Sequence, residues 1–198
     1  LTDKDKTYET VMLLGKTTDT QDISGEILSE GSLDRIDNDA VIKCIGEFVG
    51  DYMQVPPMYS ALKVNGKKLY ELAREGIEIE RKARPVVIHE IKIIEVDLPR
   101  VRMEVSCSKG TYIRTLCHDI GQKLGCGACM EELIRTKVSR FHLADSLTLK
   151  EVEELKEAGK LDEILVPIDA MFSEYEAVTL KKEFVAFAYN GKDRKSVV

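Results

Sequence analysis

The sequence predicts an α+β fold with a mixed, largely antiparallel sheet and flanking helices. Residues 101–107 alternate between apolar and polar side chains, which is typical of a strand with one buried face. Within residues 113–124, apolar side chains recur at helical spacing instead and predict one buried stripe, formed by Ile113, Leu116, Ile120 and Leu124. Both patterns occur along one chain without an internal repeat, so we expect helices packed on a sheet.

The first part of the chain is predicted to form three strands and two helices. The segments are a strand at 6–15, a polar turn at 17–25, a short strand at 25–31, a helix at 37–52, a strand at 58–64 and a helix at 67–75. Asp37 or Asn38 is the expected N-cap of the first helix. Its apolar face is formed by Val41, Ile45, Phe48 and Val49. Asn65-Gly66 predicts a tight turn before the second helix, which Gly76 ends.

The rest of the chain continues this alternation. The expected segments are strands at 84–96, 100–108 and 129–143, helices at 112–124 and 148–159, and an apolar connector at 164–172. Thr111 is the expected N-cap of the first of these helices. The pattern changes after Ser173, so we predict one domain at 1–172 and the start of a small, β-rich unit at 173–198.

The composition is that of an ordinary globular protein, with 198 residues, five cysteines and a net charge of −6. The sequence contains no run that is apolar enough for a bilayer span and no secretory signal pattern. We therefore expect a cytoplasmic protein, without membrane association, whose cysteines stay reduced. The first residue is Leu1 rather than methionine, and we expect the sequence to be part of a longer protein.

Residues 63–84 form a locally basic segment. They hold seven basic and four acidic side chains, so the segment carries a charge of +3 within an acidic chain. Such a face can bind nucleic acid selectively. A solvated surface of mixed charge explains the same composition equally well, and both interpretations stay open.

Three cysteines and a histidine form a candidate metal site, namely Cys117, His118, Cys126 and Cys129. Cys126 and Cys129 have the C-x-x-C spacing that is found in zinc sites. Adjacent helical side chains point about 100° apart, however, so Cys117 and His118 seldom bind one ion together. We expect small buried thiols and no metal, and keep a zinc-stabilised interaction module as the less favoured alternative.

Asp19 and Asp22 are a second candidate, since paired carboxylates can act as general acid and base. Aspartates in polar turns more often accept hydrogen bonds from nearby backbone, and we favour that role. Arg114 is a third candidate, because a cation in the first turn of a helix is disfavoured by the helix dipole. Its side chain either extends into water or faces an anion near the helix start. Tyr112 offers a flat face for a base beside it, and Lys109 adds a second cation.

Three long segments resemble the TruB-type tRNA pseudouridine synthases: KTYETVMLLGKTTDTQDISG at 6–25, VPPMYSALKVNGKKLYELAREGIEI at 55–79 and CSKGTYIRTLCHDIGQKLGCGA at 107–128. The resemblance extends from about residue 4 to residue 169 and implies the pseudouridine synthase fold, incomplete at the N-terminus. It implies isomerisation of a T-loop uridine of tRNA, at position 55, to pseudouridine without a cofactor. In this reaction an aspartate attacks the flipped-out nucleotide, the bond to N1 breaks, and uracil is reattached through C5.

The resemblance also implies roles for pocket residues. Tyr8 would stack on the target uracil, and Tyr112 would line the pocket near the reacting base. Arg114 would pair with the catalytic aspartate, Leu133 would form an apolar part of the pocket, and Lys109 would help to bind substrate.

An RNA-gripping insertion at about 56–84 would hold the T stem-loop through Tyr59, Lys63, Lys67 and Lys68. Residues 173–198 would begin a C-terminal RNA-binding domain. The complete enzyme is expected to be a monomer.

One departure concerns the nucleophile. The family carries it in a G-x-L-D-P-x-A-T-G motif well upstream of the KTY tyrosine, whereas only seven residues precede Tyr8 here. GSLDR at 31–35 imitates the motif but follows KTY and lacks the proline and A-T-G, so Asp34 is not the expected nucleophile. We predict that the chain is inactive by itself; a non-catalytic tRNA-binding fragment of the family is the alternative.

Overall fold

The computed structural model describes residues 2, 4–173 and 175–191, which form two compact units. The first unit ends at Ser146, and the second begins at Leu147. The sequence analysis predicts that the catalytic domain ends at residue 172. This limit of a functional domain is distinct from the division into compact units, and it stays a prediction. Residues 174 and 192–198 of the predicted C-terminal unit lie outside the described residues.

The described part of the first unit contains ten strands and three α-helices. The strands are β1 (Lys6–Leu14), β2 (Lys16–Thr18), β3 (Ile27–Glu30), β4 (Gly50–Gln54), β5 (Lys63–Val64), β6 (Lys67–Lys68), β7 (Arg84–Asp97), β8 (Arg100–Cys107), β9 (Ala128–Val138) and β10 (Phe141–His142). The helices are α1 (Asn38–Gly46), α2 (Leu69–Arg74) and α3 (Ile113–Leu124).

Six of these strands form one antiparallel sheet in the order β10-β9-β1-β8-β7-β4. The central strand β1 is therefore paired with β8 on one side and with β9 on the other. Two short hairpins, β2-β3 and β5-β6, accompany the sheet. The predicted α+β class is confirmed.

The core lies between one face of this sheet and helices α1 and α3. Val101, Met103 and Val105 of β8 are fully buried, as their alternation with polar residues predicts. The stripe on α3 is confirmed at Ile113, Leu116 and Ile120, while Leu124 is only partly buried. Burial on this scale supplies most of the stability of such a unit.

Three of the predicted boundaries are wrong. The helix predicted at 37–52 ends at Gly46, because residues 50–54 pair with β7, and Val49 is 46% exposed. The segment at 129–143 forms two strands that reverse direction near Ser139, whose φ is 54°. The strand expected at 58–64 is reduced to Lys63–Val64, the first half of a hairpin that turns at Asn65 and Gly66 as predicted.

The second unit is helical where the structure describes it. It contains α4 (Leu149–Glu157), α5 (Leu161–Ile164) and α6 (Val185–Tyr189), with 3₁₀ turns at Asp169–Phe172 and Lys182–Phe184. Thr148 caps α4 in a reciprocal hydrogen-bonded arrangement with Glu151. The expectation of a β-rich unit is wrong for residues 175–191, which form no strand; the two alanines of VAFAY favour the helical turn found there. Throughout the described residues, every helix is too short or too polar to cross a bilayer.

Candidate active site

Tyr8 lies near the start of β1, on the sheet face that carries the helices. Thr10 and Met12 follow it on the same face and are buried. Tyr8 is paired with Val105 of β8 and with Arg135 of β9, and its ring packs against the core. Burial raises the pKa of the Tyr8 hydroxyl, while the Arg135 guanidinium, which is hydrogen-bonded to it, opposes that shift.

Leu133 lies on the same face as Tyr8, two pairs further along the ladder. It is directly opposite Thr10, and residues directly opposite each other in an antiparallel ladder project to the same side. Its side chain is 41% exposed, so an apolar surface remains open beside Arg135 and Tyr8.

The loop after β8 carries the next predicted residues to the start of α3. Tyr112 is the N-cap of α3, with φ −102° and ψ 108°, and its side chain makes no capping hydrogen bond. The prediction of Thr111 as N-cap is wrong, because its hydroxyl donates to the Ser108 carbonyl at 2.9 Å. Lys109 lies in this loop, before the helix rather than in its first turn.

Gln54, which the sequence analysis does not single out, holds the backbone of Tyr112. It is the last residue of β4 and is 2% exposed. Its side-chain amide is hydrogen-bonded to both the N–H and the carbonyl group of Tyr112. The only sequence signal for it is a polar residue that lies two positions before a pair of prolines.

Arg114 projects from the first turn of α3 towards the loop at 18–24. Its Nη1 donates to the Thr20 carbonyl at 3.5 Å, and the neighbouring Thr115 hydroxyl donates to Gln21 Oε1 at 2.7 Å. Within the part of the chain that the structure describes, Arg114 forms no ion pair with a carboxylate. A carbonyl oxygen thus takes up part of its hydrogen-bonding capacity, and a carboxylate partner stays a prediction.

The favoured turn role of Asp19 and Asp22 is confirmed. Asp22 Oδ1 accepts hydrogen bonds from the N–H and hydroxyl groups of Ser24, at 3.0 and 2.6 Å. Asp19 Oδ1 accepts from the Glu26 N–H at 2.8 Å. These bonds shape the loop against which Arg114 rests.

Three cavities surround these elements in the first unit. Tyr112 and Lys109 line one of about 350 Å³, whereas Arg135 lines another of about 600 Å³, and Thr2 lines both. Tyr59 lines a third cavity of about 430 Å³ near the loop at 18–24. Tyr112 and Arg135 therefore face different cavities.

Two family profiles match this chain. The profile of the TruB family pseudouridylate synthase N-terminal domain matches residues 1–113. The profile of the tRNA pseudouridylate synthase B C-terminal domain matches residues 114–173.

The chain belongs to the TruB family of pseudouridylate synthases.

Two similar proteins are both named tRNA pseudouridine synthase B. The one from Clostridium tetani is 42% identical over 193 residues, which cover 96% of this chain and 65% of the relative. The one from Lachnoclostridium phytofermentans is 52% identical over 199 residues, which cover 96% and 64%. The chain thus spans just under two thirds of the length of these curated relatives.

Solved structures share the fold. A chain in the crystal structure of a Cbf5-Nop10-Gar1 complex is similar with a TM-score of 0.68 and 26% identity, over 96% of this chain and 49% of that chain. A chain in the structure of an H/ACA RNP bound to a substrate RNA containing 2'-deoxyuridine has a TM-score of 0.65 and 23% identity, over 96% and 48%.

The predicted RNA-gripping insertion of this TruB-family chain presents its lysines on the β5-β6 hairpin. Lys63 is directly opposite Lys68, an arrangement of like charges that disfavours the free hairpin. Lys67 is exposed and lies 3.5 Å from Glu75, and the ammonium group of Lys68 donates to the Tyr70 hydroxyl at 3.0 Å. The hairpin therefore carries three lysines, of which Lys67 is paired with Glu75 and Lys68 is hydrogen-bonded to Tyr70.

Asp34, which imitates the nucleophile motif, lies away from Tyr8. The Gly31 N–H donates to the Gly15 carbonyl, so this segment lies just beyond the C-terminal end of β1. Tyr8 is near the opposite end of the same strand, roughly 20 Å away at the usual rise per residue. This placement agrees with the expectation that Asp34 is not the nucleophile.

All five cysteines of the TruB-family chain are free thiols and are buried. Burial raises the pKa of Cys107 to about 11 and that of Cys117 to about 12. The predicted packing role of these side chains is confirmed. Among the described residues, no three histidine, cysteine or acidic side chains are arranged to hold a metal ion.

Proposed function

We propose that the complete protein converts uridine at position 55, in the T loop of tRNA, into pseudouridine. The observation that carries the proposal is that Lys6 at the start of β1 is paired with Cys107 at the end of β8, from which the loop leads to Tyr112 and α3. Tyr8 and Leu133 lie on the sheet face against which α3 packs. Membership of the TruB family and relatives named tRNA pseudouridine synthase B support the same reaction.

The reaction is an isomerisation, and its atoms balance without a redox partner. The bond from the ribose C1′ to N1 of uracil breaks, and a bond from C1′ to C5 forms. C5 loses its proton to solvent, and N1 gains one. No electrons enter or leave, so the proposal includes no cofactor.

Each pocket residue has a task that suits its chemistry. The Tyr8 ring offers an aromatic face on which a flipped uracil can stack, and Leu133 offers an apolar contact beside it. The Arg114 guanidinium would orient and stabilise a catalytic carboxylate through paired hydrogen bonds. We propose that this carboxylate belongs to an aspartate other than Asp34. We also propose that the 198 residues by themselves bind RNA without catalysing the reaction.

The β5-β6 hairpin would bind the T stem-loop. Lys63 is directly opposite Lys68 in the hairpin, and the two ammonium groups would supply contacts to phosphate groups. Lysine contacts to phosphate position an RNA without reading its sequence, which fits a grip on a stem. We also propose that the enzyme acts as a monomer in the cytoplasm, where its five free thiols stay reduced.

The test measures tritium released from tRNA that carries [5-³H]uridine, using protein produced from the complete reading frame. We expect release of one tritium per tRNA. Arg114→Ala should slow turnover by about 100-fold or more, as removal of an electrostatic catalytic group does, and leave tRNA binding within a few-fold. Arg35→Ala, an exposed change in the turn before α1, is the matched control and should have no effect.

Other outcomes favour other functions. Tight tRNA binding without tritium release by the wild-type protein would favour a non-catalytic RNA-binding protein. A stoichiometric zinc content on metal analysis would favour the zinc-stabilised interaction module. Unchanged turnover of Arg114→Ala would remove this arginine from the proposed machinery.

A further inference from the structure

Gln54 connects the root of the insertion to the N-cap of α3 through two hydrogen bonds. It ends β4, and the segment from Val55 onwards leads into the insertion. Its Nε2 donates to the Tyr112 carbonyl at 3.0 Å, and its Oε1 accepts from the Tyr112 N–H at 2.8 Å. Both halves of one buried amide are therefore satisfied by one residue 58 positions away in the sequence.

This contact fixes the N-cap residue of α3, a helix without a side-chain cap. Tyr112 is the N-cap, but its side chain makes no capping hydrogen bond. Its carbonyl accepts from the Leu116 N–H at 3.1 Å, which is the first bond of the helix, and its second lone pair accepts from Gln54. The N–H group of Tyr112 has no acceptor within the helix and donates to Gln54 Oε1 instead.

Two bonds to one residue restrict both its position and its rotation. A single hydrogen bond would leave the Tyr112 backbone free to pivot about the bond, whereas the paired contact opposes that pivot. The ring of Tyr112 and the guanidinium of Arg114 both depend on how this turn is oriented. Displacements of about 1 Å at such positions can slow catalysis about 100-fold.

We propose that Gln54 is a positioning residue for the pseudouridine synthase reaction. It holds Tyr112 and, through the first turn of α3, Arg114 in the geometry that catalysis needs, and it ties that geometry to the base of the RNA-binding insertion. This inference rests on the proposed function, since it assigns a task within that reaction.

The principal variant is Gln54→Met, which keeps the length and burial of the side chain but removes both hydrogen bonds. With the complete gene product, we expect kcat for tritium release to fall about 10- to 100-fold while KM for tRNA changes less than about threefold. The amide proton of Tyr112 should exchange with solvent slowly in the wild type and much faster in the variant.

Two control variants separate positioning from stability. Asp37→Ala removes the carboxylate that accepts from the Ala40 N–H at the start of α1, so it lowers stability by a comparable route but away from α3. Its kcat should match the wild type. Met53→Ala changes the neighbouring residue on the opposite, exposed face of β4, and should alter neither kcat nor the exchange of the Tyr112 amide.

The possible failures are distinct. A wild-type protein that releases no tritium refutes the proposed function. An active wild type with unchanged kcat in Gln54→Met overturns the positioning role, as does an equal loss of kcat in Asp37→Ala. Fast exchange of the Tyr112 amide in the wild type also overturns it, even if the Gln54 variant does not fold.

Discussion

Replacing Gly121 by alanine tests how closely α3 packs against the start of β9. A Cβ atom at position 121 would lie 2.2 Å from the Ala128 nitrogen and 2.4 Å from the Gly127 carbonyl carbon. The Gly127 N–H also donates to the Gly121 carbonyl at 3.0 Å, so the two backbones are in direct contact. Ordinary carbon contacts lie at about 3.5–4.0 Å, so helix and strand would have to separate by roughly 1 Å or more.

The expected cost follows from two opposing effects. Overpacking of a well-packed core costs about 1–3 kcal/mol, and the upper end applies because the clashing atoms belong to the backbone. Alanine returns about 1 kcal/mol through its higher helix propensity. The net loss should be about 2 kcal/mol in the free energy of unfolding, which lowers the melting temperature by roughly 4–8 °C for a protein of this size.

Urea unfolding of Gly121→Ala alongside Gly46→Ala gives a matched comparison. Gly46 is the last residue of α1, and a Cβ there meets no atom within 4 Å. Gly46→Ala should therefore stabilise the protein by up to about 1 kcal/mol. The reasoning is refuted if Gly121→Ala is as stable as the wild type, since the contact between α3 and β9 could not then be as close as described.

Three further outcomes are expected. Replacing Lys67 and Lys68 together by alanine should weaken tRNA binding and reduce the slope of log K against log salt by at most about two; an unchanged slope would exclude phosphate contacts there. Burial lowers the pKa of His118 in the folded protein below its usual 6.5. At pH values between the pKa of the folded and that of the unfolded state, the unfolded chain binds more protons. The free energy of unfolding should therefore fall as the pH drops through that window. His118→Gln should flatten this part of the pH profile of unfolding, and an identical profile would count against the burial. Since burial raises the pKa values of Cys107 and Cys117 to about 11 and about 12, these thiols should resist alkylation at pH 8 until the protein unfolds, and fast labelling of the native protein would contradict their placement.

The local sequence pattern was sufficient to predict the buried face of an element where that face is buried over several turns or residues. The alternation in β8 and the stripe on α3 both identify their buried faces, because a side-chain period of two or 3.6 allows only one face to enter the core. The Asn65-Gly66 turn and the Asp22 turn were also predictable, since each depends on bonds within a few residues. The long motifs were enough to indicate the family.

The site was predictable only in part. Tyr8 and Leu133 lie on one face of the sheet, whereas the roles of Tyr8, Leu133, Tyr112 and Arg114 stay predictions, and nothing local indicates that Gln54 holds Tyr112. Nor does the sequence alone show that the Arg114 guanidinium reaches the Thr20 carbonyl. Both contacts join residues more than fifty positions apart, and both depend on the strand order around β1.

The amino-acid sequence by itself determined which segments are apolar on one face, where the tight turns fall and which family the chain resembles. Only the tertiary structure decided that α1 ends at Gly46, that residues 129–143 form two strands and that Tyr112 rather than Thr111 is the N-cap of α3. The physical reason is one of magnitude. Local preferences differ by about 1 kcal/mol or less, whereas strand pairing and the burial of whole side chains contribute several times more, so long-range contacts determine where each element ends.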